Sequence, residues 1–258
     1  MPLNPPLQDW HGRRVWIIGA SSGIGEATAR ALLERGARVA LSARSQAPLE
    51  AMAAAYPERS LVLPLDITVA EQLRAARGEI EARWQGIDLA IVAAGTHQPV
   101  RAWQLDAGRA RALFEVNLIG VVAAVAEIVP VLLGQRAGGV AIVSSVAGYG
   151  GLPTSLTYGA TKAALINFAE TLYLDLQPKG ISVYLINPGF VKTPLTDKNE
   201  FEMPALISAE EAAREIIAGL ERGEFEIHFP KRFTRVLKLL QLLPYRAYFA
   251  AVRRFTGL

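Results

Sequence analysis

Gly19-Ala20-Ser21-Ser22-Gly23-Ile24-Gly25 follows the short apolar run Arg14–Ile18 and opens a helical pattern over residues 25–35, with Gly36 as its stop signal. The fold is decided by this junction. Glycine lets backbone approach a phosphate closely and lets a helix pack tightly on a strand. The helix start offers unpaired N–H groups and a positive partial charge to a pyrophosphate. An isolated glycine-rich turn would carry little weight. Its place directly after a first strand points to dinucleotide binding. The spacing is Gly-x-x-x-Gly-x-Gly, distinct from Gly-x-Gly-x-x-Gly.

Downstream the same unit repeats. Strands are predicted at residues 39–42, 61–65, 89–93, 140–144, 181–186 and 225–229. Helices are predicted at Ala70–Trp84, in a long segment containing Asn117, at about 157–177 and at Ala209–Glu221. The strands are continuous apolar runs, as strands covered on both faces must be. Strand–helix alternation implies parallel pairing with right-handed crossovers. The predicted fold is therefore α/β: one doubly wound parallel sheet of Rossmann type in a single domain. The loop 188–204 is the one long irregular connection, and long loops in compact domains are usually functional.

Composition narrows the classes. The 258 residues are 51% hydrophobic and include no cysteine, which removes disulfides and cysteine metal sites. His11, His97 and His228 are scattered, so no metal site is expected. His97 could face the cleft or be a plain loop residue. Residues 1–10 lack the basic start and apolar run of a signal peptide. The run 118–133 contains Glu127 and Pro130, so no membrane span is expected either. The net charge of +3 divides into +7 on residues 231–258 and −4 on the rest. A mildly acidic body argues against nucleic acid as a partner.

Tyr158 and Lys162 stand i, i+4 near a helix start and share a face. A free tyrosine has a pKa of about 10. An ammonium one turn away favours the phenolate, which suits an acid/base near neutrality. Ser145, at the end of the preceding strand, can hydrogen-bond a substrate oxygen. A surface tyrosine beside a surface lysine would read alike when taken alone.

Together with the glycine turn, these residues make the chain resemble the short-chain dehydrogenase/reductase family over about residues 13–230. The resemblance implies an oxidoreductase in which Ser145, thirteen positions before Tyr158, is the catalytic serine. Ser144 beside it would be a strand-end residue. It implies that Asn117 is the fourth catalytic residue, its carbonyl holding a water that passes protons to Lys162. Asp66-Ile67 matches the pair that contacts adenine, and Ala94-Gly95 a further cofactor-binding segment. In that segment Val92 and Ala93 replace two asparagines that brace the central sheet in the family. Pro188-Gly189, Val191 and Thr193 match the nicotinamide carboxamide site. Cofactor contacts on the turn itself would be Gly19, Ser21, Ser22, Gly23, Ile24 and Gly25. The resemblance also suggests a homodimer or homotetramer through the helices bearing Asn117 and Tyr158.

At the end of the second strand stands Ala43, then Arg44. An acidic residue there would bind the ribose hydroxyls of NAD and repel a 2′-phosphate. A guanidinium suits that phosphate, so NADP(H) is the expected cofactor, although a solvent-facing arginine is the plainer reading. The expected substrate is a small carbonyl compound or its alcohol. The rival function is a catalytically silent NADP-binding regulator or scaffold of the same fold.

Residues 1–230 are read as the dinucleotide-binding catalytic domain and 231–258 as its amphipathic basic tail. Phe233, Val236, Leu237, Leu240 and Leu243 form an apolar stripe, with Lys231, Thr234, Arg235, Lys238 and Gln241 mainly opposite. Pro244 ends or kinks this helix. Either the stripe docks on the body or a partner subunit, or the tail lies on anionic lipid as a peripheral membrane contact. The second alternative carries a lipophilic substrate with it. The expected location is the cytoplasm, with the inner face of a membrane as the alternative's addition.

Overall fold

The computed structural model describes residues 2–198 and 203–256. Seven parallel strands form one sheet: β1 (Arg14–Ile18), β2 (Arg38–Ser42), β3 (Ser60–Val62), β4 (Leu89–Val92), β5 (Gly139–Val143), β6 (Ser182–Pro188) and β7 (Glu226–Phe229). Their order is β3-β2-β1-β4-β5-β6-β7. The chain leaves β1 in one direction and returns through β4 on its other side. In such sheets the crevice at this reversal, beyond the carboxyl ends of the strands, is where ligands bind.

Helices cover both faces, which is why β1, β4 and β5 are almost wholly buried and apolar, whereas the edge strand β7 alternates, with Glu226 and His228 half-buried. On one face α1 (Gly23–Glu34), α2 (Gln46–Ala54) and α7 (Ala209–Glu221) bury Leu32, Leu33, Leu49, Ile216 and Ile217. On the other, α3 (Ala70–Trp84), α5 (Gly120–Gln135) and α6 (Leu156–Leu176) enclose a second core that includes Leu73, Ile80, Ile128, Leu132 and Leu165, and α4 (Ala107–Phe114) leads into α5. A capping box starts α7: Ser208 Oγ accepts from Glu211 N at 3.1 Å and Ser208 N donates to Glu211 Oε2 at 2.9 Å. The N-terminal segment is bound to the far side of the sheet. Asn4 Nδ2 donates to Val183 O at 2.9 Å, Asn4 Oδ1 accepts from Val183 N at 3.2 Å, and Asn4 N donates to Gly223 O at 3.0 Å.

Several elements differ from expectation. The third strand stops at Val62, and α2 was not predicted. The helix bearing Asn117 is continuous from residue 107 to 135 and widens into a π turn at Glu115–Ile119. By length and composition this helix could cross a bilayer. Its inner face, however, is a layer of the fold, with Val121, Ala124, Ile128 and Leu132 buried. Glu127 on its flank pairs with Arg77 at 3.0 Å.

The tail forms two helices, α8 (Lys231–Gln241) and α9 (Tyr245–Thr256), with Pro244 between them. The helix α8 is docked on the body, as the first alternative expects, but it meets the body largely through its polar edge. Thr234 is fully buried, with Oγ1 2.6 Å from His228 Nδ1. Lys238 Nζ donates to Glu226 Oε2, and Gln241 Nε2 donates to Tyr149 O. Phe233, from the predicted stripe, packs against Phe190 with ring centroids 5.6 Å apart. The rest of the stripe is divided: Leu237 and Leu240 are half-buried at the margin, while Val236 and Leu243 are exposed. On α9, Tyr248 and Val252 face inward.

Candidate active site

The glycine turn closes on itself. A Cβ on Gly25 would lie 2.1 Å from the carbonyl oxygen of Gly19, so no larger residue fits where α1 leaves the strand. Gly23 adopts φ +57°, and its missing Cβ makes room for Thr193 Cγ2. Ser22, the residue before α1, makes no side-chain cap, which leaves the first N–H groups of the helix open to an anion.

This turn is the floor of a cleft of about 730 Å³ at the carboxyl ends of β1, β4, β5 and β6. Gly19, Ser21, Ser22, Gly23, Ile24 and Gly25 line it, as do Arg44, Asp66, Ile67, Ala94 and Gly95. Ser145, Tyr158, Lys162, Pro188, Gly189, Val191 and Thr193 complete the predicted set within it. Arg44 is exposed just beyond β2. Asp66 Oδ1 accepts from Thr68 N at 2.9 Å and from Thr68 Oγ1 at 2.8 Å, and these bonds hold its carboxyl below the usual range. Thr196 Oγ1 donates to Val191 O at 2.7 Å and accepts from Thr193 N at 3.0 Å, which fixes the start of loop 188–204. Residues 199–202 of that loop lie outside the described residues.

Asn117 does not line the cleft. It is fully buried behind it, in the π turn. Its Oδ1 accepts from Thr96 N at 2.7 Å and its Nδ2 donates to Thr96 O at 2.8 Å. The side chain thereby clamps the segment that follows β4. The strand keeps its pairing where the family's asparagines are absent: Val92 is in register with both Ile18 and Ile142, and Ala93 N donates to Ile18 O at 2.8 Å.

The two serines ending β5 have different tasks. Ser144 Oγ donates to Lys162 O at 2.8 Å and ties the strand to α6. Ser145 Oγ accepts from Ala147 N at 3.1 Å and donates to Pro188 O at 3.5 Å, and its hydroxyl favours the charged form of Tyr158. Lys162 Nζ donates to Val143 O at 3.0 Å and lies 5.6 Å from the centre of the Tyr158 ring. The expected depression of the tyrosine is not found. Burial pushes the Tyr158 phenol up to about 12, with only the Ser145 bond opposing it. Burial also draws the Lys162 ammonium down to about 8. A neutral phenol against a hydroxyl donor is an arrangement suited to giving a proton to a carbonyl oxygen.

Sequence reasoning left three residues without a site role. His97 stands edge-on to Tyr158, ring centroids 4.6 Å apart, which its position close after Gly95 hinted at. Arg109 on α4 lines the cleft and a smaller adjoining pocket, with no signal in the sequence. Glu226 on β7 gathers the turn after Ser145: it accepts from Tyr149 Oη at 2.5 Å, from Asn187 Nδ2 at 2.9 Å and from Lys238.

The sequence profile of the short chain dehydrogenase family matches residues 13–203. The chain belongs to this family. It is 34% identical over 245 residues to an uncharacterized oxidoreductase of Myxococcus xanthus, covering 94% of this chain and 97% of that one. It is 31% identical to nodulation protein G of a Rhizobium species, covering 77% of this chain and 81% of the relative. Among solved structures, a short chain dehydrogenase from Burkholderia cenocepacia in complex with NADP superposes with a TM-score of 0.83 at 27% identity, covering 95% and 99% of the two chains. The fold is shared with a 3-ketoacyl-(acyl-carrier-protein) reductase from Brucella melitensis complexed with NADH, at a TM-score of 0.78 and 24% identity over 86% and 98% of the chains. The protein is thus an oxidoreductase of a family that binds a nicotinamide cofactor.

Proposed function

We propose that the protein is an NADP(H)-dependent oxidoreductase that interconverts a ketone or aldehyde with the corresponding alcohol, and that its substrate is lipophilic. One observation carries this reading: Ser145, Tyr158 and Lys162 meet in the same cleft as the glycine turn. The residues present fit the cofactor. The turn has no room for a Cβ at Gly25, the helix start is uncapped, and Arg44 stands where a 2′-phosphate would be met.

When bound, the nicotinamide supplies or accepts the hydride. The protein's own residues do the rest. Tyr158 carries a proton on its phenol oxygen and gives it to the substrate oxygen during reduction. Ser145 donates a hydrogen bond to that oxygen and orients it. Lys162 holds the ribose and passes protons toward Tyr158. Asn117 supports this relay by clamping the loop beside Gly95. The glycine turn, Asp66, Ile67, Ala94, Gly95, Pro188, Gly189, Val191 and Thr193 hold the dinucleotide.

Residues 1–230 form the catalytic domain and 231–258 its tail. The protein is proposed to lie in the cytoplasm, with the tail at the inner face of a membrane. The exposed Ile119 of the π turn, Val122 and Leu133 of α5, and Leu156 and Leu174 of α6 support a homodimer or homotetramer. The deciding measurement is NADPH and NADH oxidation across ketones and aldehydes of increasing chain length. Turnover with NADPH that improves with chain length is expected. Tight NADPH binding with no turnover on any of them would make the protein a silent binder.

A further inference from the structure

The tail presents two opposite faces. Its inner edge is already satisfied by the body, through Thr234, Lys238 and Gln241 of α8 and through Tyr248, whose hydroxyl donates to Gly151 O at 2.9 Å. What remains outside is apolar. Of the sixteen exposed large hydrophobic residues among those described, seven belong to these two short helices and the turn between them: Val236, Leu239, Leu242, Leu243, Tyr245, Phe249 and Phe255. Val236 and Leu239 share one face of α8 by their i, i+3 spacing, and Leu243 follows in the turn after it. Tyr245 and Phe249 stack along α9, ring centroids 5.7 Å apart.

Charge identifies the occupant. Arg232, Arg235, Arg246, Arg253 and Arg254 are all exposed. Arg232 and Arg235 stand one turn before Val236 and Leu239, and Arg253 one turn after Phe249. The two lysines of the tail have acidic partners on the body, Glu224 for Lys231 and Glu226 for Lys238. The described residues give the five arginines none, and residues 231–258 contain no acid. A second copy of this face would bring five arginines against five.

We infer that the outer face of α8 and α9 is a docking surface for a bilayer containing anionic phospholipid. The apolar row enters the headgroup boundary and the arginines meet the phosphates. The inner edge of the tail touches Tyr149 and Gly151, just after Ser145, and Phe190, just after Gly189. The substrate side of the cleft therefore opens beside the membrane. The surface itself is independent of the proposed reaction; only the entry of substrate from the bilayer rests on that reading.

The test uses the full chain with two sets of vesicles, phosphatidylcholine alone and an equal mixture of phosphatidylcholine and phosphatidylglycerol. The protein should sediment with the mixture, less so as salt is raised, and remain in solution with phosphatidylcholine alone. Leu239→Asp with Leu243→Asp should abolish sedimentation while the melting temperature and the turnover of a water-soluble ketone stay at the wild-type level. Should that variant fold poorly, Arg232→Gln with Arg235→Gln and Arg246→Gln should weaken binding to the mixture at least tenfold. Absence of sedimentation, sedimentation equal on both vesicle types, or variants that bind like wild type would overturn the inference. So would a wild-type dimer in lipid-free solution that the aspartate variant converts to monomer, which would make this face a subunit interface. Turnover is read separately, so loss of the proposed reaction would leave the lipid result standing.

Discussion

The carboxylate of Glu226 accepts the phenol of Tyr149 at 2.5 Å, and so the seventh strand of the sheet holds the turn that begins at Ser145. The same carboxylate takes Asn187, just before the Pro188-Gly189 bend, and Lys238 from the tail. Burial raises this acid, yet the bonds from Lys238, Tyr149 and Asn187 outweigh it and hold the carboxyl below its ordinary value.

Glu226→Ala is therefore expected to lower stability by about 2 kcal/mol, the scale of hydrogen bonds to a charged group. Because the folded carboxyl is the stronger acid, its contribution is complete above the unfolded value of 4.5 and is lost as pH falls below it. Urea unfolding at neutral pH and again in acid measures this. The gap between wild type and variant should narrow in acid, and an unchanged gap would mean that the hub does not act through ionised Glu226.

Tyr158→Phe deletes one hydroxyl and little surface. Turnover should fall roughly 10²–10⁴-fold, the usual worth of general acid–base help. Fluorescence titration should show NADPH still bound. Near-normal turnover would refute Tyr158 as the proton donor.

Lys162 should impose opposite pH trends on activity and on stability. Burial draws its ammonium from 10.5 to about 8, so the unfolded chain holds that proton more tightly. Folding is opposed by this group below pH of about 8, and the opposition is relieved as pH rises toward 10.5. Lys162→Met should thus be most stabilised relative to wild type below about 8, with the advantage shrinking above it. Carbonyl reduction by wild type should instead decline as pH passes about 8, where the ammonium is lost. Paired denaturation and kinetic profiles test both trends.

Arg44→Ala removes the charge proposed to meet the 2′-phosphate. A charge-assisted contact is worth about 1.5–3 kcal/mol, so NADPH should bind about 10- to 100-fold more weakly while NADH changes little. Dissociation constants for both cofactors decide the matter. Equal weakening would remove Arg44 from cofactor choice.

Much of this was readable before any coordinates. Strands buried on both faces announce themselves as apolar runs, and α3 and α7 have the bounds their patterns predict. Tyr158, Lys162 and Ser145 could be singled out because i, i+4 spacing and a strand end fix where side chains lie. What escaped depended on tertiary contact. The short α2, with Pro48 in its first turn, has little amphipathic contrast. Pro244 was read as ending or kinking the helix, and the separate helix α9 after it was not predicted. Thr234, Lys238 and Gln241 looked like a solvent face because nothing local reveals that Glu226, His228 and Tyr149 wait opposite them. The placement of His97 against Tyr158 and of Arg109 in the cleft depends on how the segments around them pack.

The anchoring of Asn4 has a consequence for how the chain is made. Its side chain pairs with Val183, 179 residues later, and its backbone with Gly223. At the usual ~5–20 residues per second of synthesis, on the order of ten seconds or more pass before those partners emerge. The first segment thus remains unanchored on the ribosome while β1, β2 and β3 can already pair, and it joins the sheet only when β6 and the end of α7 arrive. The segment around Asn4 therefore waits for partners made most of a chain length later.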